Sequence, residues 1–188
     1  MSDLPAQDHD AVIEATRIWL ERAVIGLNLC PFAKAVLVHQ RIRYIVSGAQ
    51  SHDELLEELS KELHLLKATA PDIIETTLLI HPDVLTEFIE YSFFLNKVNS
   101  LLSKQGLTEE FQVASFHPHY EFSDAGSDDI ENYTNRSPYP TLHLLRESSI
   151  ERAVAAFPDA SDIYEKNIET LRRLGHAGWQ RLWVSEES

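Results

Sequence analysis

The chain has 188 residues, 44% of them hydrophobic, which fits one globular domain with a core large enough to fold alone. A formal charge of −14 and a pI near 5.0 make the average field repel nucleic acid, and no apolar run approaches the roughly 18 residues that a bilayer-spanning helix needs. The N-terminus, MSDLPAQDHD, is polar and acidic rather than a basic and apolar leader, and one cysteine cannot form an internal disulfide. A cytoplasmic protein in reducing surroundings is therefore expected, with the sequons at Asn132 and Asn135 unglycosylated.

Residues 1–9 read as a flexible segment. From Ala11 to Leu27, the positions of Val12, Ala15, Trp19, Ala23 and Leu27 form one apolar helical face, and Pro31 ends that helix between Gly26 and Cys30. Arg41 to Ser47 reads as a strand closed by Gly48. Ser51 and Glu54 form a capping box ahead of a helix that turns Leu55, Leu59, Leu63 and Leu66 inward. A second strand, Thr76 to Ile80, stops at His81-Pro82. The helix after it, about Leu85 to Leu102, is apolar on more than one face through Phe88, Phe93, Phe94, Val98 and Leu101, and Gly106 closes it. The third strand, Phe111 to Phe116, also stops at a His-Pro pair, His117-Pro118. A long polar loop, 117–140, leads to a fourth strand, Thr141 to Arg146. Ser148 and Glu151 then cap a helix followed by Pro158, and a last helix runs from Asp162 to Leu174 and ends at Gly175. Trp179, Leu182 and Trp183 form an apolar patch on the tail.

Strands separated by helices of about fifteen residues imply βαβ units. The expected fold is α/β (or α+β): a single layered domain over 1–188, with a small mixed or parallel sheet of about four strands flanked by helices. Parallel pairing places Ser47, His81 and His117 together at the carboxyl ends of strands, the edge where open α/β sheets bind ligands. A ferredoxin-like arrangement, with Thr141 to Arg146 as an antiparallel strand, is the competing layout and is expected to scatter the histidines.

The segments GLNLCPFAK (26–34), QVASFHP (112–118), NYTNRSPYPTLHLLRE (132–147) and IYEKNIETLRRLG (163–175) resemble an uncharacterised bacterial family, domain of unknown function number 1415. The resemblance covers about Thr16 to Leu174. It implies no activity, cofactor or catalytic residue, so the site is read from its own chemistry.

Within 117–140 and the strand after it, histidines, carboxylates, arginines and tyrosines crowd a stretch with little periodicity. A loop this long in a compact domain usually builds a site. Three candidates follow. The first is a metal site. His117 and His119 are two residues apart and point the same way in extended chain, with His143, His81, Asp124, Asp128 or Asp129 to complete a shell for a divalent transition metal. The alternative is that His117 and His119 bind loop backbone. The second is anion recognition by Arg136 and Arg146, with Ser137, Thr134 and Tyr139 as hydroxyl donors. An arginine neutralised by Asp128, Asp129 or Glu131 would pin the loop, whereas one left facing a pocket would select a small anion. The third is Cys30 as nucleophile, disfavoured at a helix C-terminus unless Lys34 or a histidine stabilises the thiolate. The remaining histidines, His64, His9, His39, His52 and His176, read as interfacial or solvent-facing, and Asp53, Glu54, Glu57, Glu58 and Glu62 as a solvated helical face.

The leading expectation is an enzyme acting on a small anionic metabolite. His117 is its metal ligand or general base, His81 and Cys30 are further catalytic candidates, and His119 and His143 are further ligands. Arg136, Arg146, Tyr139 and Ser137 hold the substrate. The rival is a noncatalytic interaction or accessory protein with the ordered loop as scaffold, and a third reading is a nonenzymatic metal-binding protein. No GxGxxG, P-loop, GxSxG, HExxH or paired CxxC is present, which lowers nucleoside-triphosphate chemistry, serine hydrolysis and structural zinc.

Overall fold

A computed structural model describes residues 8–156 and 162–184. Four strands, β1 (Ile42–Val46), β2 (Thr76–Ile80), β3 (Phe111–Phe116) and β4 (Thr141–Arg146), form one mixed sheet in the order β1-β2-β4-β3. β1 and β2 are parallel, and β4 lies antiparallel between β2 and β3. β1, β2 and β3 consequently point the same way. The antiparallel placement of β4 does not scatter the histidines, because it enters the sheet between two parallel strands and leaves their carboxyl ends on one edge. Ile80 and Phe116 both pair with Thr141, so His81 and His117 leave the sheet on either side of the start of β4.

Helices cover both faces. α3 (His52–Ala68) and α4 (Phe88–Lys104) pack on one, where Leu55, Leu59, Leu63 and Leu66 meet Leu79, Leu142, Leu144, Tyr91 and Phe94. Each leucine so buried stabilises the fold by about 1.5–3 kcal/mol. Ser51 caps α3 by accepting from the Glu54 N–H, as expected, whereas the Glu54 carboxylate accepts from the Gln50 N–H, one residue before the cap, rather than from Ser51 as in a full capping box. On the other face lies α1 (His9–Trp19), with Val12 against Leu78 and Ile80. Beside it, Trp19, Leu171 and Trp179 form a cluster with Tyr44 and Phe116. β2 is buried along its whole length because both of its faces are covered, which explains its unbroken apolar run.

Several local expectations change. α1 begins at His9, capped by Asp8, while residues 1–7 of the expected flexible segment lie outside the described residues. The last turns of that helix, Leu20–Ile25, are π-helical, and a short α2 (Ala33–Val38) follows Pro31. α4 starts at Phe88 rather than Leu85, whose φ of 58° is incompatible with a helix. Phe93, expected in the core, is 70% exposed, because the buried stripe of α4 is Tyr91, Phe94, Val98 and Leu102. Glu62 does not belong to a solvated face: it is buried and takes a two-pronged bond from Arg43, at 2.7 and 3.1 Å. α5 (Glu147–Ala156) follows β4 directly, without Ser148 as cap, and Pro158 lies outside the described residues. α6 (Ile163–Arg181) continues past Gly175, which forms a kink at φ 66°, ψ 172° and sends Trp179 back against the body of the domain.

Candidate functional site

The carboxyl ends of β2 and β3 bring His81 and His117 against one ring: Tyr91 stacks with His81 at 5.7 Å and meets His117 in a tilted arrangement at 5.1 Å between centroids. Both imidazoles are fully buried. His81 donates from Nδ1 to the Val84 carbonyl at 2.9 Å, and its Nε2 finds no hydrogen-bond partner among the described residues. Burial pushes the His81 pKa down to about 4, with the Val84 carbonyl opposing that shift and His117 adding to it. His117 accepts from the His119 N–H at Nδ1 and donates from Nε2 to the Leu85 carbonyl at 3.1 Å, a pairing that only the Nε2–H tautomer allows. Burial lowers its pKa as well, against the pull of Leu85. The two histidines therefore hold the 81–85 turn, including the positive-φ Leu85, and neither presents a base to solvent. This is the backbone-binding alternative for His117.

His143 lies elsewhere. It sits on β4 between Leu78 and Ala114, on the α1 side of the sheet, and its Nε2 bonds the Thr76 hydroxyl at 2.7 Å. Since that hydroxyl donates to the Leu144 carbonyl, the proton of His143 is on Nε2, and burial pushes its pKa down to about 4. His117, His119 and His143 are thus not assembled as one ligand set. Among the described residues, no three His, Cys, Asp or Glu side chains are grouped to hold a metal ion.

The 117–140 loop is ordered by its own polar groups. Buried Asn132 donates to the Gly126 carbonyl and accepts from the Phe122 N–H, Asp129 accepts from the Gly126 N–H, and Asn135 donates to the Ser115 carbonyl. A short 3-10 helix, Ile130–Asn135, follows, and Glu131 at its start is paired with Arg172 of α6. Arg136 donates from Nε to the Tyr120 carbonyl at 3.2 Å and from Nη2 to the Ser127 carbonyl at 2.9 Å. Its guanidinium lies 4.3 Å from the centre of the Tyr133 ring. These contacts fix its position while leaving its charge uncompensated, since among the described residues Arg136 pairs with no carboxylate.

Arg136 faces a cleft of about 630 Å³ between α1, the loop and the end of α6. Ala15, Ile18, Trp19 and Arg22 form one wall. Pro118, His119, Ser137 and Pro138 form the rim beside Tyr133, and Trp179 and Trp183 close the far side. Its aromatic rings meet edge to face, Tyr133 on Trp179 at 5.1 Å and Trp179 on Trp183 at 5.4 Å. Arg22, in the π-helical turn, donates to the Leu182 carbonyl at 2.8 Å and likewise pairs with no carboxylate among the described residues. The turn depends on Gly26, where a Cβ would lie 2.3 Å from the Arg22 carbonyl oxygen. π-helical turns recur at functional sites, and this one carries a cleft residue.

The matched region, residues 11–181, takes in the π-helical turn, the loop and the Gly175 kink. The chain belongs to the DUF1415 family. The family's description is protein of unknown function, and no curated protein and no solved structure matches the chain. In this DUF1415 protein Arg146 is remote from the cleft. It lies at the other end of β4 from Thr141, roughly 17 Å along the strand, and its Nη2 donates to the carbonyls of Leu66, Thr69 and Ile74. That binding closes the C-terminus of α3, so Arg136 and Arg146 do not share a ligand. Ser137 donates to the Tyr139 carbonyl and lines the cleft, whereas Tyr139 packs against the core beside Val12 and Ile80.

Cys30 is half-buried between the π-helical turn and α2. Burial raises its pKa, partly offset by the N–H groups of Phe32 and Ala33, so the thiol is held in its unreactive form. Arg22 and Tyr133 line the cleft although neither was singled out as a site residue in the sequence, and Trp19 was read only as part of an apolar helical face. The one signal for Arg22 was its four-residue spacing from Gly26, which acquires meaning only once the turn is seen to be π-helical. No helix among the described residues is long and apolar enough to cross a membrane.

Proposed function

We propose that this DUF1415 protein binds a small anionic metabolite in the cleft between α1, the 117–140 loop and α6. The observation that carries the reading is the state of Arg136. It is immobilised by two neutral carbonyls and an aromatic ring, in a chain rich in carboxylates, and none of those carboxylates neutralises it among the described residues. A fixed, uncompensated guanidinium beside a concave apolar surface is suited to a carboxylate or phosphate, and Arg22 supplies a second positive charge in the lining of the same cleft. His119 is the imidazole that lines the cleft, and its backbone is anchored through His117. Acid–base work on the ligand falls to His119 rather than to the buried His81 and His117.

The test is a tryptophan-fluorescence titration with benzoate, succinate and phenyl phosphate, because Trp179 and Trp183 line the cleft. At least one probe saturates the signal below about 10 mM, and Arg22→Gln, which leaves the loop bonds intact, weakens that binding about tenfold. No saturable response to any of the three probes would refute the reading. The rival, an interaction protein with the loop as scaffold, is favoured by the internal pairing of Asn132, Asp129 and Asn135. It predicts no response to these anions.

A further inference from the structure

We infer that the ligand carries an aromatic plane beside its anionic group, with the plane resting on Trp183 and the anion meeting Arg136 and Arg22. The inference rests on the proposed anion-binding role of the cleft and adds the chemical class of the ligand. Trp183 is 37% exposed at the cleft wall and meets Trp179 edge to face. A large indole left in water at the mouth of a concave site is surface that a flat ligand covers. Tyr133, by contrast, is already occupied, with Arg136 over its face and the rings of Trp179 and His176 set edgewise against it. The guanidinium of Arg136, 4.3 Å from the centre of the Tyr133 ring, places positive charge beside the aromatic wall. A ligand flat enough to follow that wall gains ring stacking and cation–π attraction together with its ion pair. An aliphatic anion gains the ion pair and apolar burial but neither ring stacking nor cation–π attraction. At about 630 Å³ the cleft is large enough for a fused two-ring acid.

The class is tested by calorimetric titration with three probes of similar size: naphthalene-2-carboxylate, its saturated analogue decahydronaphthalene-2-carboxylate, and the neutral naphthalene-2-carboxamide. The aromatic acid is expected to bind about tenfold or more tightly than either of the others. Trp183→Leu should bring the two acids within about twofold of each other, and Trp183→Phe, which keeps a ring, should restore most of the preference. Equal binding of the aromatic and saturated acids would overturn the aromatic class while leaving the anion site standing. Equal binding of the acid and the amide, or binding of neither acid, would remove the anion site and the ligand class with it. Circular dichroism of both variants, whose substituted residue is partly exposed at the chain's end, separates loss of ligand from loss of fold.

Discussion

Lowering the pH from 7 to 5 should destabilise this protein by about 4 kcal/mol through its neutral, desolvated histidines. His81 and His143 are each pushed down to about 4 from an ordinary 6.5, and His117 is lowered too. His81 and His143 stay neutral in the folded protein until the pH approaches about 4. In the unfolded chain they take up protons as pH falls through about 6.5, so their stabilising contribution is complete above that value and is lost progressively down to about 4. Each full proton difference is about 1.4 kcal/mol per pH unit, so His81 and His143 together give a slope of about 3 kcal/mol per unit near pH 5, and each accounts for about 3 kcal/mol over the whole range. The total is comparable with the stability of a typical domain. The assay is urea unfolding followed by circular dichroism at half-unit intervals of pH. His81→Phe, which retains the stacking on Tyr91 but has no proton to bind, should remove about half of the slope while costing some stability at pH 7 through the lost Val84 bond. A wild-type stability that is flat between pH 6.5 and 5, or a His81→Phe slope equal to that of wild type, would refute the reasoning.

Other substitutions probe the parts that shape the cleft. Gly26→Ala places a Cβ 2.3 Å from the Arg22 carbonyl oxygen, so the π-helical turn must shift. The expected cost is about 1–3 kcal/mol in urea unfolding, with loss of anion binding. Gly175→Ala puts a side chain at φ 66° and should cost a similar amount, about 1–3 kcal/mol, with a shift in tryptophan emission as Trp179 and Trp183 move. Arg146→Met leaves the Leu66, Thr69 and Ile74 carbonyls without their shared donor. It should lower the melting temperature while leaving binding in the cleft of the folded protein unchanged. Cys30 should react with iodoacetamide more slowly at pH 8 than an unfolded-state thiol does, a difference that denaturant abolishes.

Much of the architecture was legible in the residues. Leu55, Leu59, Leu63 and Leu66 recur at helical spacing and pack where that spacing puts them, and the two strand-His-Pro endings place His81 and His117 on one edge. The position of β4 was not legible, because whether a strand after a long loop pairs parallel or antiparallel is decided by tertiary packing rather than by its own pattern. The same holds for Phe93. A helix with aromatics around its circumference does not reveal which of them faces water. In the candidate site, Arg136 was identifiable as an internal arginine in an acidic loop, but its partners were not. The loop carbonyls that hold it come from Tyr120 and Ser127, and backbone carbonyls leave no trace in composition. Arg146 was indistinguishable from it by sequence, and only the fold sends one to a cleft and the other to a helix end. The histidines suggested metal chemistry by their density, whereas both His117 nitrogens, Nδ1 of His81 and Nε2 of His143 bond within the fold, to the Leu85 and Val84 carbonyls, the His119 N–H and the Thr76 hydroxyl.

The central claim is that Arg136 is held ready for an anion from outside the chain. A crystal structure grown with 6-bromonaphthalene-2-carboxylate, with anomalous data collected at the bromine edge, tests it most directly. The account predicts a bromine peak in the cleft near Trp183 and a carboxylate within hydrogen-bonding distance of Arg136 or Arg22. Arg136 bonded instead to the carboxylate of Asp128 or Asp129, with no bromine peak in the cleft, would contradict it.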